Sequence, residues 1–348
     1  MPCHRIVIPL AVAGLVCPVM AGQPDFERID AHVHVLQTSP EYYRMLGALN
    51  IRVIDICTLD KYSAGFEAVA PQQATAHRAF RESKHKVAWC ATFDPGDWEK
   101  PGFAREVERS LDESFRQGAV AVKIYKSIGM ELKSRSGAYL MADDPAFAPI
   151  YGFIARRNRT LYAHLAEPTA AWLPLDPKSP HYGYYKNNPD WHMFLHPERP
   201  RKETILAARD HILEANPGLR MVGCHLGSME EDVDLIAQRL DRYPNFAVDT
   251  AARVTDLMVQ PREKVRAFLI RYQDRVLYGT DLSLGPEAGA GKTIKSMRDV
   301  YALDWKYFSS AEWIETRTGR VQGLALPPEA LRKIFRENAL RWVPGAGK

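Results

Sequence analysis

Two histidines set two residues apart, His32 and His34 in Arg28-Ile-Asp-Ala-His-Val-His-Val35, carry the strongest chemical signal in this chain. On a β-strand that spacing puts both side chains on one face and aims two imidazoles at one point. Converging neutral imidazoles are the natural start of a divalent-metal site. His-x-His also occurs on exposed strands, so the pair needs company. Four later segments supply it: Ala121-Val-Lys-Ile-Tyr125 with Lys123, Leu161-Tyr-Ala-His164, Gly223-Cys-His225, and Leu277-Tyr-Gly-Thr-Asp281. Each sets a ligand-type side chain at the C-terminal end of a short apolar run.

Those runs belong to a regular alternation. Strand-like segments at 28–35, 51–57, 86–93, 119–125, 160–164, 220–225, 246–250 and 276–281 are separated mostly by amphipathic or capped helical segments. One of these places Phe103, Val107, Leu111 and Phe115 at steps of four, as a helix burying one face requires. Eight strand–helix units imply a parallel sheet closed as a (β/α)8 TIM barrel, one domain over 22–348, with its active site at the C-terminal strand ends. Every ligand-type residue named above falls there. Two long insertions depart from the minimal barrel: 166–202 after the fifth strand and 282–320 after the eighth. Both are rich in aromatics, which argues against disorder. They are expected to wall and cover a substrate pocket, the alternative being packing on the barrel's outer surface. A closing amphipathic helix is expected over 328–342.

Residues 1–21 read as an export signal: a short polar start, an apolar stretch from Ile6 to Met20, and Val19-Met-Ala21 as a small-residue cleavage pattern. The mature chain then starts at Gly22 and is expected in the periplasm. It retains Cys57, Cys90 and Cys224, an odd number in apolar runs, which points to core packing and away from a disulfide framework. The formal net charge of +4 is spread along the chain and suggests no nucleic acid. Gly289-Ala-Gly-Lys-Thr293 lacks the earlier glycine of a phosphate-binding loop and is assigned no nucleotide role. The expected partner is a small-molecule substrate, with no membrane once the leader is removed. Assembly into a homo-oligomer is left open.

As a set, His-x-His on the first strand, lysine on the fourth, histidines on the fifth and sixth and Gly-Thr-Asp on the eighth resemble the amidohydrolase superfamily. Lys333-Ile-Phe-Arg-Glu-Asn-Ala-Leu-Arg341 resembles its amidohydrolase-related branch, which includes aminocarboxymuconate semialdehyde decarboxylase. The resemblance spans roughly 26–343 and implies a metal-dependent barrel. By position, it makes His32 and His34 ligands of the more buried metal, with Asp281 as a further ligand and His164 as the fifth-strand ligand. His225 would bind a second metal or polarise the substrate. Asp281 stands where the family places its general acid/base. A divalent ion lowers the pKa of water to about 7, and an adjacent carboxylate can take its proton. Zinc is the expected ion, one or two per chain.

Lys123 is the open question. An inward lysine on a buried strand is costly unless paired or modified. Its segment resembles the fourth strand of dihydroorotase and phosphotriesterase, where the lysine is carboxylated and bridges two metals. The alternative is an unmodified amine paired with substrate or a carboxylate. Lys126 is the second inward candidate and is expected to meet substrate or solvent. Arg253, after the seventh strand, suits a substrate carboxylate or a surface salt bridge. Trp191 suits stacking on a substrate ring or core packing. Hydrolysis of an amide, ester or lactone is the expected reaction, with metal-dependent decarboxylation of an unsaturated or aromatic acid as the alternative.

Overall fold

A computed structural model describes residues 24–59, 69–285, 290–316 and 319–348. The leader expected at 1–21 and Gly289 lie outside the described residues. The strands are β1 (Arg28–Val35), β2 (Ile51–Ile56), β3 (Val87–Thr92), β4 (Ala121–Ile124), β5 (Thr160–Ala163), β6 (Arg220–Gly223), β7 (Phe246–Asp249), β8 (Val276–Leu277) and β9 (Leu282–Leu284). They lie in the order β8-β7-β6-β5-β4-β3-β2-β1-β9, every pair parallel. Only Tyr278–Asp281 separates β8 from β9, so the two ends of the sheet are halves of one broken strand. Backbone bonds from Ala31 N to Tyr278 O and from Asp281 N to His32 O, each 2.8 Å, close the ring. This is a TIM barrel.

The eighth strand is therefore not the continuous 276–281 segment the sequence suggested. Gly279 passes so close to β1 that a Cβ there would lie 3.0 Å from that of His32. Thr280 turns its N–H and hydroxyl onto the Asp30 carboxylate, at 3.0 and 2.6 Å. Asp281 then takes a left-handed φ of 66°. A pleat cannot run through these three residues.

Inside the barrel, Ile29, Ala31, Ile54, Ile56, Ala88, Cys90, Tyr162, Val222, Cys224, Ala247 and Leu277 form one buried cluster, joined by Trp342, Val343 and Ala346 of the C-terminal segment. Burial of the three cysteines, all free, agrees with a packing role. Outward-facing residues such as Val33, Val53, Val122 and Leu161 meet the helices. With Ile29 and Ala31 both inside, strict alternation would send His32 outward. An irregularity between Asp30 and Val33 resets the phase, so His32 and His34 face inward while Val33 and Val35 join the outer core.

The two insertions differ. Residues 166–202 fold as short helical turns over the C-terminal end of the barrel. The 282–320 insertion, expected to wall and cover the pocket or else to pack outside the barrel, contains helix Ala290–Ser309 and the hairpin β10 (Trp313–Thr316) and β11 (Gly319–Gln322). Its aromatic residues Tyr307 and Phe308 are buried, and Phe308 meets Phe335 edge-on at 5.4 Å. Apolar area here is satisfied by the barrel's outer surface, and of this insertion only Ser283 reaches the pocket among the described residues. The closing helix runs as Pro328–Arg332, a π-helical turn Lys333–Glu337, and Asn338–Trp342. Tyr278 N donates to Ile334 O at 2.9 Å, tying that turn to the broken strand. Among the described residues no helix is long and apolar enough to cross a membrane.

Candidate active site

Four of the five proposed nitrogen and oxygen ligands converge closely. Asp281 Oδ1 lies 3.1 Å from His34 Nε2 and 3.4 Å from His32 Nε2. His32, His225 and Asp281 each offer a ligand atom within 4.8 Å of the others. The His164 ring packs against His225, with centroids 4.2 Å apart. His32 is fully buried beneath the others, which line the C-terminal pocket together with Lys123.

The tautomers follow from the partners of the other ring nitrogen. His34 Nδ1 lies 2.7 Å from Ile56 O, and His225 Nδ1 lies 2.9 Å from Ala251 O. A carbonyl can only accept, so both Nδ1 atoms carry a proton, and in the neutral ring that leaves Nε2 free to bind an ion. His32 Nδ1 lies 2.8 Å from the buried carboxylate of Asp249, which fixes the same tautomer. The buried Nε2 atoms of His32 and His164 have no hydrogen-bond partner, as a ligand atom for a cation requires. Burial holds the His225 and His164 imidazoles well below the usual histidine range, so both are neutral. For Asp281, burial opposes ionisation, but the imidazoles of His225, His34 and His32 that face it outweigh burial and hold the carboxyl well below its usual range. Neutral imidazoles around one carboxylate suit zinc and similar divalent ions. The donor set fits a metal.

His225 reaches this position through an unusual piece of backbone. Residues His225, Leu226, Gly227 and Ser228 have φ of 58°, 57°, 64° and 57°, a full left-handed turn directly after β6. For residues with a Cβ this costs about 1–2 kcal/mol each, so the surroundings must impose it. Asp249 Oδ1 accepts from His225 N at 2.7 Å, Arg209 Nη1 donates to Gly227 O at 2.7 Å, and Ser228 Oγ donates to Ala166 O at 3.2 Å. Gly223 is needed at its foot, because a Cβ there would lie 2.6 Å from the Phe246 ring.

Asp249 was missed in the sequence reading, which passed over Val248-Asp-Thr to reach Arg253. Its place at the C-terminal end of an apolar strand was the available signal. One oxygen orients the His32 ring and the other holds the His225 and Ala251 amides. Asp249→Asn should lower metal affinity about 10–100-fold, read by competition with a chelating dye. An unchanged affinity would deny Asp249 any part in orienting the ligands. His32, Cys224 and Asp249 also lie within ligand distance of one another. Those partners are already committed, Asp249 to the groups just named and Cys224 to Lys123.

Lys123 extends from β4 into the same interior, 1% exposed, and its Nζ donates to Cys224 Sγ at 3.0 Å. Burial pushes the Cys224 thiol up to about 12, so this partner is neutral. Of the two surroundings expected for Lys126, bulk solvent is excluded, and the side chain lines the pocket instead. It is 2% exposed, ion-paired with Glu167, and its Nζ sits 3.8 Å above the Trp191 ring. Trp191 is itself buried, yet both side chains line the pocket. Glu167 also accepts from Tyr185, one of the aromatics of the 166–202 insertion, at 2.8 Å, and no spacing or motif in the sequence marks Glu167 itself. Arg253 is 8% exposed and lines the pocket, so it is not a surface salt bridge. Its Nε has no partner, and Asp256 and Glu230 outweigh burial to keep the guanidinium charged. The pocket encloses about 470 Å³.

Solved structures share this fold at low identity. An uncharacterised TIM-barrel protein from Bordetella bronchiseptica is 14% identical with a TM-score of 0.51, over 92% of this chain and 99% of that one. The 2,6-dihydroxybenzoate decarboxylase from Rhizobium is 14% identical with a TM-score of 0.51, over 91% and 98%. A structure described as a 2-pyrone-4,6-dicarboxylic acid hydrolase of Pseudomonas putida is 12% identical with a TM-score of 0.51, over 92% and 98%. No curated protein matches the chain. Residues 29–345 match the family described as Amidohydrolase, and the chain belongs to that family.

Proposed function

We propose that this chain is a metal-dependent hydrolase that cleaves an amide, ester or lactone bond of a small molecule with an activated water. The position of Asp281 carries the reading. Its carboxylate touches the Nε2 atoms of His32 and His34, remains 27% exposed to the pocket, and is held ionised. A base so placed can take a proton from water beside the ligand cluster and return it to the leaving group. When bound, the ion supplies a Lewis acid and a water nucleophile near neutral pH. His32, His34, His164 and Asp281 would hold it. His225 would either join a second ion or polarise the scissile carbonyl. Zinc is the proposed ion, and Lys123, carboxylated on Nζ, the proposed bridge between two. Arg253 would anchor an anionic group of the substrate, with Trp191 and Lys126 forming the facing wall. Export through the 1–21 leader is part of the same proposal.

Decarboxylation of an aromatic or unsaturated acid is the second reading. It is favoured by the pocket wall, where Tyr125, Tyr184 and Trp191 stand with Arg253 around a space fit for a planar acid. One experiment separates the two. Zinc- or manganese-loaded protein is offered aryl esters, lactones, anilides and hydroxybenzoates in 18O-labelled water. Hydrolysis puts one labelled oxygen into the acid product and stops on chelation. Release of carbon dioxide, with no label gained by the organic product, sinks the hydrolase and supports the lyase.

A further inference from the structure

A second cavity, of about 240 Å³, lies beside the metal pocket under the 166–202 insertion. Glu230 and Asp256 line it and are 3% and 6% exposed. Each has one satisfied oxygen: Glu230 Oε1 accepts from Thr169 N at 2.9 Å, and Asp256 Oδ1 lies 2.7 Å from His181 Nε2. Their other oxygens, Glu230 Oε2 and Asp256 Oδ2, are buried without a hydrogen-bond partner. Lys202 Nζ stands 3.9 Å from Glu230 Oε2, too far to donate. Its three protons are directed to Thr169 Oγ1 and the two oxygens of Glu231. Arg253, whose charge these two carboxylates support, lines the metal pocket and makes no ion pair within 4 Å with either of them. Two buried acceptors thus lack donors, a state that burial makes expensive.

The shape of the space says what kind of donor fits. Among the described residues, the only trios of ligand-type groups close enough to grip one metal ion are those around His32, and neither includes Glu230, Glu231 or Asp256. A small bare ion is therefore poorly served. Leu173 and Leu175 line it and are 53% and 42% exposed, so the open side of the cavity carries apolar surface. Acceptors at depth and apolar surface at the mouth match an amphiphilic cation, its head donating inward and its body covering the leucines.

We propose that this cavity binds an organic cation, a primary ammonium on a short apolar or aromatic body, with Glu230 and Asp256 taking the head and Leu173 and Leu175 the body. The site stands apart from the proposed reaction. His181 and Tyr185 line both cavities, so the occupant would sit one layer of side chains from the metal pocket.

Calorimetric titration of the full-length protein with benzylamine, an ammonium at neutral pH, tests this. Saturable binding is expected, with benzyl alcohol, a neutral analogue, at least about tenfold weaker. Glu230→Gln should weaken benzylamine by about tenfold or more. Leu173→Ser, at an exposed position where folding is not at stake, should weaken it by about threefold. Equal binding of the alcohol overturns the proposal, as does unchanged affinity in either variant. So does the absence of saturable heat at millimolar amine, in which case water alone completes the two oxygens.

Discussion

Asp281→Asn is expected to lower kcat by about a thousandfold while leaving the fold intact, the middle of the range for removing a general base. The amide keeps the shape of the side chain, and the position is partly exposed, so little packing is lost. It cannot accept a proton. Because Asp281 also belongs to the ligand cluster, metal affinity should fall as well, and the assay must be run with excess ion. Restored occupancy without restored rate identifies the carboxylate as base. A kcat within about threefold of wild type at full occupancy would move the proton elsewhere, with His225 as the next group in reach. The pH behaviour follows from the same electrostatics. Asp281 is held well below its usual range, so it stays ionised as pH falls and does not set the acid limb. Burial likewise keeps His225 and His164 neutral below about pH 6.5, where an exposed histidine takes up its proton. Loss of rate in acid should therefore coincide with release of metal and lie below that value.

Lys123→Met should reduce the metal content from about two ions per chain to about one and remove most activity, if the lysine is carboxylated and bridges ions about 3.5–4 Å apart. The physical case is one of charge. As an ammonium, Lys123 would sit buried beside a neutral thiol and among histidines that attract a second cation. Reaction of the neutral amine with carbon dioxide gives a carbamate and a proton, reverses the sign of the side chain, and turns it into a two-oxygen ligand. Short carboxylic acids should then partly restore both metal and rate in the variant. Elemental analysis decides the matter. Unchanged stoichiometry shows that Lys123 is not a ligand, and the mononuclear, decarboxylase-type reading gains.

How much of this was legible beforehand depended on whether the cause was local. Strand alternation and ligands at strand ends are local patterns, so the barrel and the positions of His32, His34, His164, His225 and Asp281 could be read directly. The inward aim of His32 could not be derived from pleating, because Ala31 also faces inward and only a bulge reconciles them. The break at Gly279 arises from contact with a strand at the other end of the chain. Asp249 escaped notice because its role is to hold two other residues, which no spacing reveals. The pairing of Lys126 with Glu167 could not be read, since that partner comes from the following strand's loop. The fate of 282–320 turned on which apolar surface its aromatics would find, and composition does not specify that.

The seam of the barrel bears on how the chain matures. His32 on β1 and Asp281 in the broken last strand come from opposite ends of the polypeptide, and the bond from Asp281 N to His32 O is one of those that shut the ring. Ring closure and assembly of the ligand cluster are thus one event. A nascent chain that has not yet delivered its last strand possesses the histidines but lacks the carboxylate and the wall that confine an ion among them. An ion held by both His32 and Asp281, as proposed, would span the join and so would clasp the barrel as well as supply chemistry.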